Sequence, residues 1–170
     1  MRTLFYFLFA VSVGFTFSQG LTETHTTDIY FIRYPEKWAF TEDDELGASF
    51  HIVSPKENDN DTFRENVSLV NQDLKGTNID LDTYIKLSEK QITSQVKDAT
   101  IHRSERLKSG DFELHKIVYS GEINGLKLKL LQHYQIKNDK AFVLTFTAEQ
   151  GQFDKYKLYG QQILNSFRFK

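Results

Sequence analysis

Few residues of this chain combine the type and the spacing that chemistry requires. Its five histidines are His25, His51, His102, His115 and His133. None has an HxH or HExxH partner, the spacings that place two imidazoles on one metal ion, so no transition-metal site is expected. The densest oxygen cluster is Glu57-Asn58-Asp59-Asn60-Asp61, with Glu65 just beyond it. A calcium loop alternates its ligands, turns on a Gly at the sixth position and closes with a bidentate Glu at the twelfth. Counted from Asp59, those positions hold Arg64 and Val70. Glu57, Asp59 and Asp61 are therefore candidate metal ligands in residue type alone, and the segment reads as a solvated loop.

Nucleophilic chemistry has no signature either. No GxSxG, Walker or GxGxxG pattern is present, and the absence of Cys removes thiol chemistry. A Ser-His-Asp set drawn from distant residues leaves no trace in a sequence, so a hydrolase with a dispersed site stands as one alternative. No catalytic residue and no cofactor are assigned. Lys116, Lys127, Lys129, Lys137 and Lys140 concentrate positive charge along 116–140. Lys127 and Lys129, with Lys116, are the candidate docking residues for an acidic protein partner, against the plainer reading of a solvated strand end. Asn60-Asp61-Thr62 and Asn66-Val67-Ser68 match the glycosylation sequon, which matters only in a eukaryotic secretory host.

The elements that must position these residues centre on 112–149. FELHKIVYSG, LKLKLLQHYQI and AFVLTFTAE read as three consecutive antiparallel strands. Asn124-Gly125 joins the first two, and the pair suits a type I′ turn because both central residues need positive φ. Asn138-Asp139 joins the last two. The two-residue loop sets Ile123 opposite Leu126, Tyr119 opposite Leu130 and Ile117 opposite Gln132, and Ile136 then meets Ala141. His115 faces Tyr134 and His133 faces Lys116, on opposite sides of the sheet; one should be packed and the other partly exposed. Leu126, Leu128, Leu130, Tyr134, Ile136, Val143 and Thr145 share one face. Phe112, Leu114, Val118, Leu131, Phe142, Leu144 and Phe146 share the other. A sheet wetted on one side alternates cleanly, so this one is expected to be covered on both.

Upstream, Ile29–Tyr34 reads as a strand stopped by Pro35, Glu42–Glu45 as an acidic turn and Ala48–Val53 as the partner strand. Glu65–Leu74 is a further strand. Leu81, Tyr84, Ile85, Ser88, Ile92 and Val96 recur at helical spacing, with Asp80 as N-cap and Asp82 in the first turn. Thr100–Leu107 is a strand. A second helix spans about 152–165, with Gly160 marking a close approach to the sheet, and 166–170 is a short terminal strand. Trp38, Leu130 and Ile163 are expected in the core. Aromatic density around Trp38 and Tyr34 could line a cleft for a small apolar ligand, a second alternative for function.

Residues 1–18 have a basic start at Arg2, an apolar run and a small-residue exit, the plan of a secretory signal peptide cleaved before Gln19. The apolar run from Leu4 to Phe17 is about 14 residues, short of the ~20 that span a bilayer. Residues 19–28 read as a flexible leader and 29–170 as a single domain. Of the 21 basic residues the signal removes Arg2 and no acid is lost, leaving 20 against 23 acids, net −3. That balance argues against nucleic acid, whose affinity comes mainly from neutralised phosphates. The expected location is outside the cytoplasm, periplasmic or extracellular, with no stable membrane anchor once the signal is removed.

Two helices and a largely antiparallel sheet of six to eight strands make an α+β fold, a three-layer α/β/α sandwich. The Tyr34-Pro35-x-x-Trp38 corner, the strand Glu65–Leu74 ahead of a helix with Asp80-Leu81-x-x-Tyr84, and the ending Ile163-Leu164-Asn165-Ser166-Phe167 resemble the PsbP-like superfamily. The resemblance runs from Ile29 to Lys170. The chain departs from the DcrB lipoproteins of that group in having no lipid-bearing Cys. The resemblance implies a binding or scaffolding role and carries over no catalytic residue. The function expected is a non-enzymatic binding or accessory module of the cell envelope, acting on a protein partner.

Overall fold

The computed structural model describes residues 20–43, 47–110 and 112–170. The signal-peptide reading, with its cleavage before Gln19, lies outside them.

The central sheet has seven strands, all antiparallel. In chain order they are β3 (Ala39–Asp43), β4 (Ala48–Val53), β5 (Asn66–Asp73), β6 (Lys97–Ser109), β7 (Phe112–Ile123), β8 (Leu126–Lys137) and β9 (Lys140–Glu149). They lie side by side as β3-β4-β5-β9-β8-β7-β6. A second, three-stranded sheet joins β1 (Glu23–Thr26), β2 (Tyr30–Tyr34) and β10 (Arg168–Phe169). Helix α1 (Leu81–Gln95) packs on one face of the large sheet, and α2 (Phe153–Ser166) packs on the other with the small sheet. No helix among the described residues is long and apolar enough to cross a membrane.

The register of the β7–β8–β9 meander follows from its turns. Asn124 and Gly125 have φ of 52° and 81°, and Asn138 and Asp139 have 50° and 55°. Both loops are therefore two-residue turns with the backbone twist that hairpins need. Ile123 faces Leu126, Tyr119 faces Leu130 and Ile136 faces Ala141. The α1 side then gathers Ile117, Tyr119, Leu128, Leu130 and Tyr134 with Leu81, Ile85 and Ile92. The α2 side gathers Leu131, Phe142, Leu144 and Phe146 with Phe153, Ile163, Leu164 and Trp38. Asp80 caps α1, its Oδ1 accepting from the Thr83 amide at 2.8 Å.

Four features depart from the sequence reading. Glu23–Thr26, expected as part of a flexible leader, is a strand paired with β2, so its backbone groups are satisfied despite polar side chains. Ala48–Val53 does not pair with β2; it lies between β3 and β5. The Pro35–Trp38 turn, closed by the Trp38 amide on the Pro35 carbonyl at 2.9 Å, sends the chain from the small sheet into the large one. Glu42 and Asp43 belong to β3 rather than to a turn. Finally, α1 covers only the β6–β8 half of its face. Buried and half-buried residues alternate along β4, and on β5 Val67 and Leu69 point to α2 while Ser68 and Val70 face outward. That half of the sheet is wetted on one side, as its alternating sequence dictates.

Candidate functional site

A polar cleft of about 930 Å³ opens at the end of the sandwich where the β7–β8 hairpin meets the start of α2. Asp98 and Thr100 come from β6, Ser120 to Glu122 from β7, Lys127 from β8, and Glu149 to Gln152 from the β9–α2 connection. Local backbone irregularity shapes it. The β6 register shifts between Lys97 and Thr100 and again between Ile101 and Arg103, and Asp98 sits at φ 54°. Such bulges re-aim side chains at a sheet edge. The second shift allows His102 to reach Ser120, with Nε2 and Oγ 2.8 Å apart. Glu122 is ion-paired to Lys97 at 2.9 Å.

Beside the cleft, sharing Glu149 and Gln152 with it, lies a recess of about 400 Å³. The 57–65 segment supplies Glu57, Asn58, Asn60, Asp61, Thr62, Phe63 and Glu65 to its wall. Glu57 accepts hydrogen bonds from the Lys155 ammonium and, at 2.6 Å, from the Tyr156 hydroxyl; these hold its carboxyl below the usual range. Asp61 Oδ2 accepts from the Glu57 amide at 2.9 Å. Glu65 is only 2% exposed, and burial raises its pKa, with the fields of Asp61, Glu57 and Glu149 adding to the rise.

The candidate residues read from the sequence are distributed unevenly over this geometry. Lys127 lines the cleft. Lys129 does not: its Nζ stands 4.7 Å over the Phe153 ring, a cation–π contact at the start of α2. Lys116 is a mid-strand residue opposite His133 and Glu105, away from the hairpin tip. Neither Trp38 nor Tyr34 lines the cleft or the recess. Trp38 is 4% exposed and packed in the core near Tyr159, and Tyr34 stacks on Phe40 at 5.6 Å. The aromatic density there serves packing. Of the candidate metal ligands, Glu57 and Asp61 share the recess and Asp59 does not line it. Among the described residues no three His, Asp or Glu side chains gather closely enough to hold a metal ion.

His115 and His133 are both buried, which corrects the expectation that one of the two would be partly exposed. His133 is 3% exposed on the α2 side, and burial, with Lys116 adding, lowers its pKa to about 3. His115 lies under α1, and its pKa is lowered by burial and by Arg106. Ser104 Oγ bridges Glu89 of α1, at 2.5 Å, and His115 Nε2, at 2.8 Å. In that chain the hydroxyl stands between carboxylate and imidazole, so its proton goes to Glu89 and the imidazole cannot act as its base. It ties α1 to β6 and β7. Ser120 and His102 are better placed for proton transfer, since the imidazole reaches the hydroxyl directly, but no carboxylate bonds to His102 among the described residues.

Sequence reasoning missed Asp98, Glu122 and Glu149, and it noted Glu65 only as the acid just beyond the 57–61 cluster, not as a partner of Glu149. Their convergence depends on strand register: Asn66 pairs with Thr147, which brings Glu65 and Glu149 to the same end of the sheet. No local pattern carries that information.

No protein-family model matches the chain, and no curated protein matches it in sequence. Solved structures do match in shape. The cyanobacterial PsbP (CyanoP) of Synechocystis sp. PCC 6803 superposes with a TM-score of 0.67 at 13% identity, over 87% of this chain and 92% of that one. LpqN, involved in cell envelope biogenesis of Mycobacterium tuberculosis, gives 0.61 at 12% identity, over 83% of each chain. PA94 of Pseudomonas aeruginosa, a protein of unknown function, gives 0.60 at 11% identity, over 80% of this chain and 88% of that one. At these identities the likeness concerns the backbone: the chain shares its fold, an α+β sandwich, with these structures.

Proposed function

We propose that this protein is an exported, non-enzymatic accessory module of the cell envelope that binds a protein partner through the cleft at the hairpin tip. The observation that carries this reading is the cleft itself. It is large, open and polar, and Lys127 lies among the carboxylates Asp98, Glu122 and Glu149. A surface that mixes fixed charges of both signs favours oriented docking, because charge complementarity acts on encounter rate and specificity more than on raw affinity. The fold is shared with a protein involved in envelope biogenesis, and the signal-like start of the sequence supports export.

The test is capture of a partner from the native envelope, followed by Lys127→Glu. Lys127 is the clean position, because reversal at Lys129 would also remove its contact with Phe153. Lys127→Glu should leave the melting temperature unchanged and slow association, most visibly at low salt. Binding indifferent to the reversal and to salt would retire the cleft. The hydrolase alternative draws on one feature, the Ser120–His102 contact. Turnover of an envelope substrate that is abolished by Ser120→Ala in a folded protein would overturn the non-enzymatic reading.

A further inference from the structure

We propose that the recess beside the cleft is a binding site for an organic cation, an ammonium or guanidinium group carried on an alkyl chain. This does not depend on which protein docks at the cleft.

Four carboxylates line the recess, those of Glu57, Asp61, Glu65 and Glu149. Lys155 answers Glu57. Glu65 has no such answer: it is 98% buried, its own backbone amide is its hydrogen-bond donor, and no cation pairs with it among the described residues. Buried carboxylates are ordinarily paired or fully hydrogen-bonded, because desolvation penalises the bare charge. Here three further acids face the same space and deepen the penalty, and Lys155 pairs with only one of them, so the four carboxylates outnumber their cation. A bound positive charge would relieve the three that Lys155 leaves without a cation.

Size and donor geometry decide which positive charge. The donors are all oxygen, which suits a hard ion, yet no three carboxylates stand close enough to chelate one. A recess of about 400 Å³ is too open for a bare ion without collapse of its walls and has room for an ammonium or guanidinium head. Such a head makes several hydrogen bonds to acceptors spread around it. Phe63 adds an apolar wall suited to methylenes. The shared wall at Glu149 and Gln152 lets the rest of the chain run into the cleft, where Asp98 and Glu122 supply more acceptors. Free polyamines and the Lys or Arg side chains of a peptide both have this chemistry.

The test is calorimetric titration of the mature protein at low salt with putrescine, agmatine, an end-blocked Gly-Lys-Gly peptide, 1,4-butanediol and calcium chloride. Saturable binding of the cationic probes near ~1 mM or tighter is expected, with none for the diol, which matches putrescine in length without its charge. Glu65→Gln and Glu149→Gln should each weaken it by about tenfold or more, the second variant guarding against a folding defect in the first. Tighter binding of the peptide than of putrescine and agmatine identifies a side chain as the occupant; the reverse identifies a free amine. Three results would overturn the proposal: no saturable binding by any cationic probe, binding untouched by both substitutions, or calcium displacing the amines. The first would leave docking at Lys127 standing, because that is read from partner capture.

Discussion

Gly160 of α2 lies directly on the ring of Phe146 in β9, so closely that a Cβ at Gly160 would stand 2.3 Å from Cγ of that ring. Phe146 is fully buried and has no room to retreat. The contact fixes how near α2 can come to the sheet, and therefore where its first turn stands at the edge of the cleft. Gly160→Ala should gain helix propensity of about 1 kcal/mol. It should lose more through overpacking, typically 1–3 kcal/mol. The net expectation is destabilisation of up to about 2 kcal/mol, read as a lower midpoint in urea. A variant more stable than the parent would show that the helix can shift outward freely.

Ile163, one turn further along α2, is fully buried in the core on the same face. Ile163→Ala removes packed methyl groups and leaves a cavity, so a loss of ~2–5 kcal/mol is expected by denaturant titration. An unchanged midpoint would contradict the packing of α2 on the sheet.

His133 should make the fold acid-sensitive. Its pKa is about 3 in the folded protein, through burial first and Lys116 second, against about 6.5 in an unfolded chain. On acidification the unfolded state takes up a proton that the folded state refuses. Stability is thus fully present above pH ~6.5 and declines as pH falls toward 3, by up to ~1.4 kcal/mol per pH unit. His133→Leu should remove this part of the slope between pH 6 and 5, where most carboxylates remain ionised. Parallel stability curves for parent and variant in that window would refute the assignment.

Glu65 works in the opposite sense. Its raised pKa means that ionisation is disfavoured in the fold, so the penalty is absent below the unfolded value and grows as pH rises through the folded one. Without a bound cation, Glu65→Gln should be at least as stable as the parent at pH 7.5. That relative advantage should disappear near pH 4. Urea midpoints at the two pH values check both statements, and a variant weakened equally at both would point to a lost hydrogen bond instead.

The sequence by itself determined whatever depends on neighbours along the chain. Two Asn-led turns set the register of β7, β8 and β9, and with it the two apolar faces. Helical spacing and Asp80 set α1, and Gly160 announced the close approach of α2. These are local rules of turn geometry, period and capping, so they can be read before any tertiary contact is known. Tertiary structure alone decided that polar Glu23–Thr26 becomes a strand, because the partner edge of β2 supplies its hydrogen bonds. It decided that Trp38 is core rather than cleft, since an aromatic cluster reads the same whether it lines a space or fills one. It also gathered Glu65 with Glu149 and Asp98 with Ser120 and Lys127, residues far apart in the chain. A site assembled across strands is fixed by register and bulges over the whole sheet, and the short windows of a sequence hold no record of that sum.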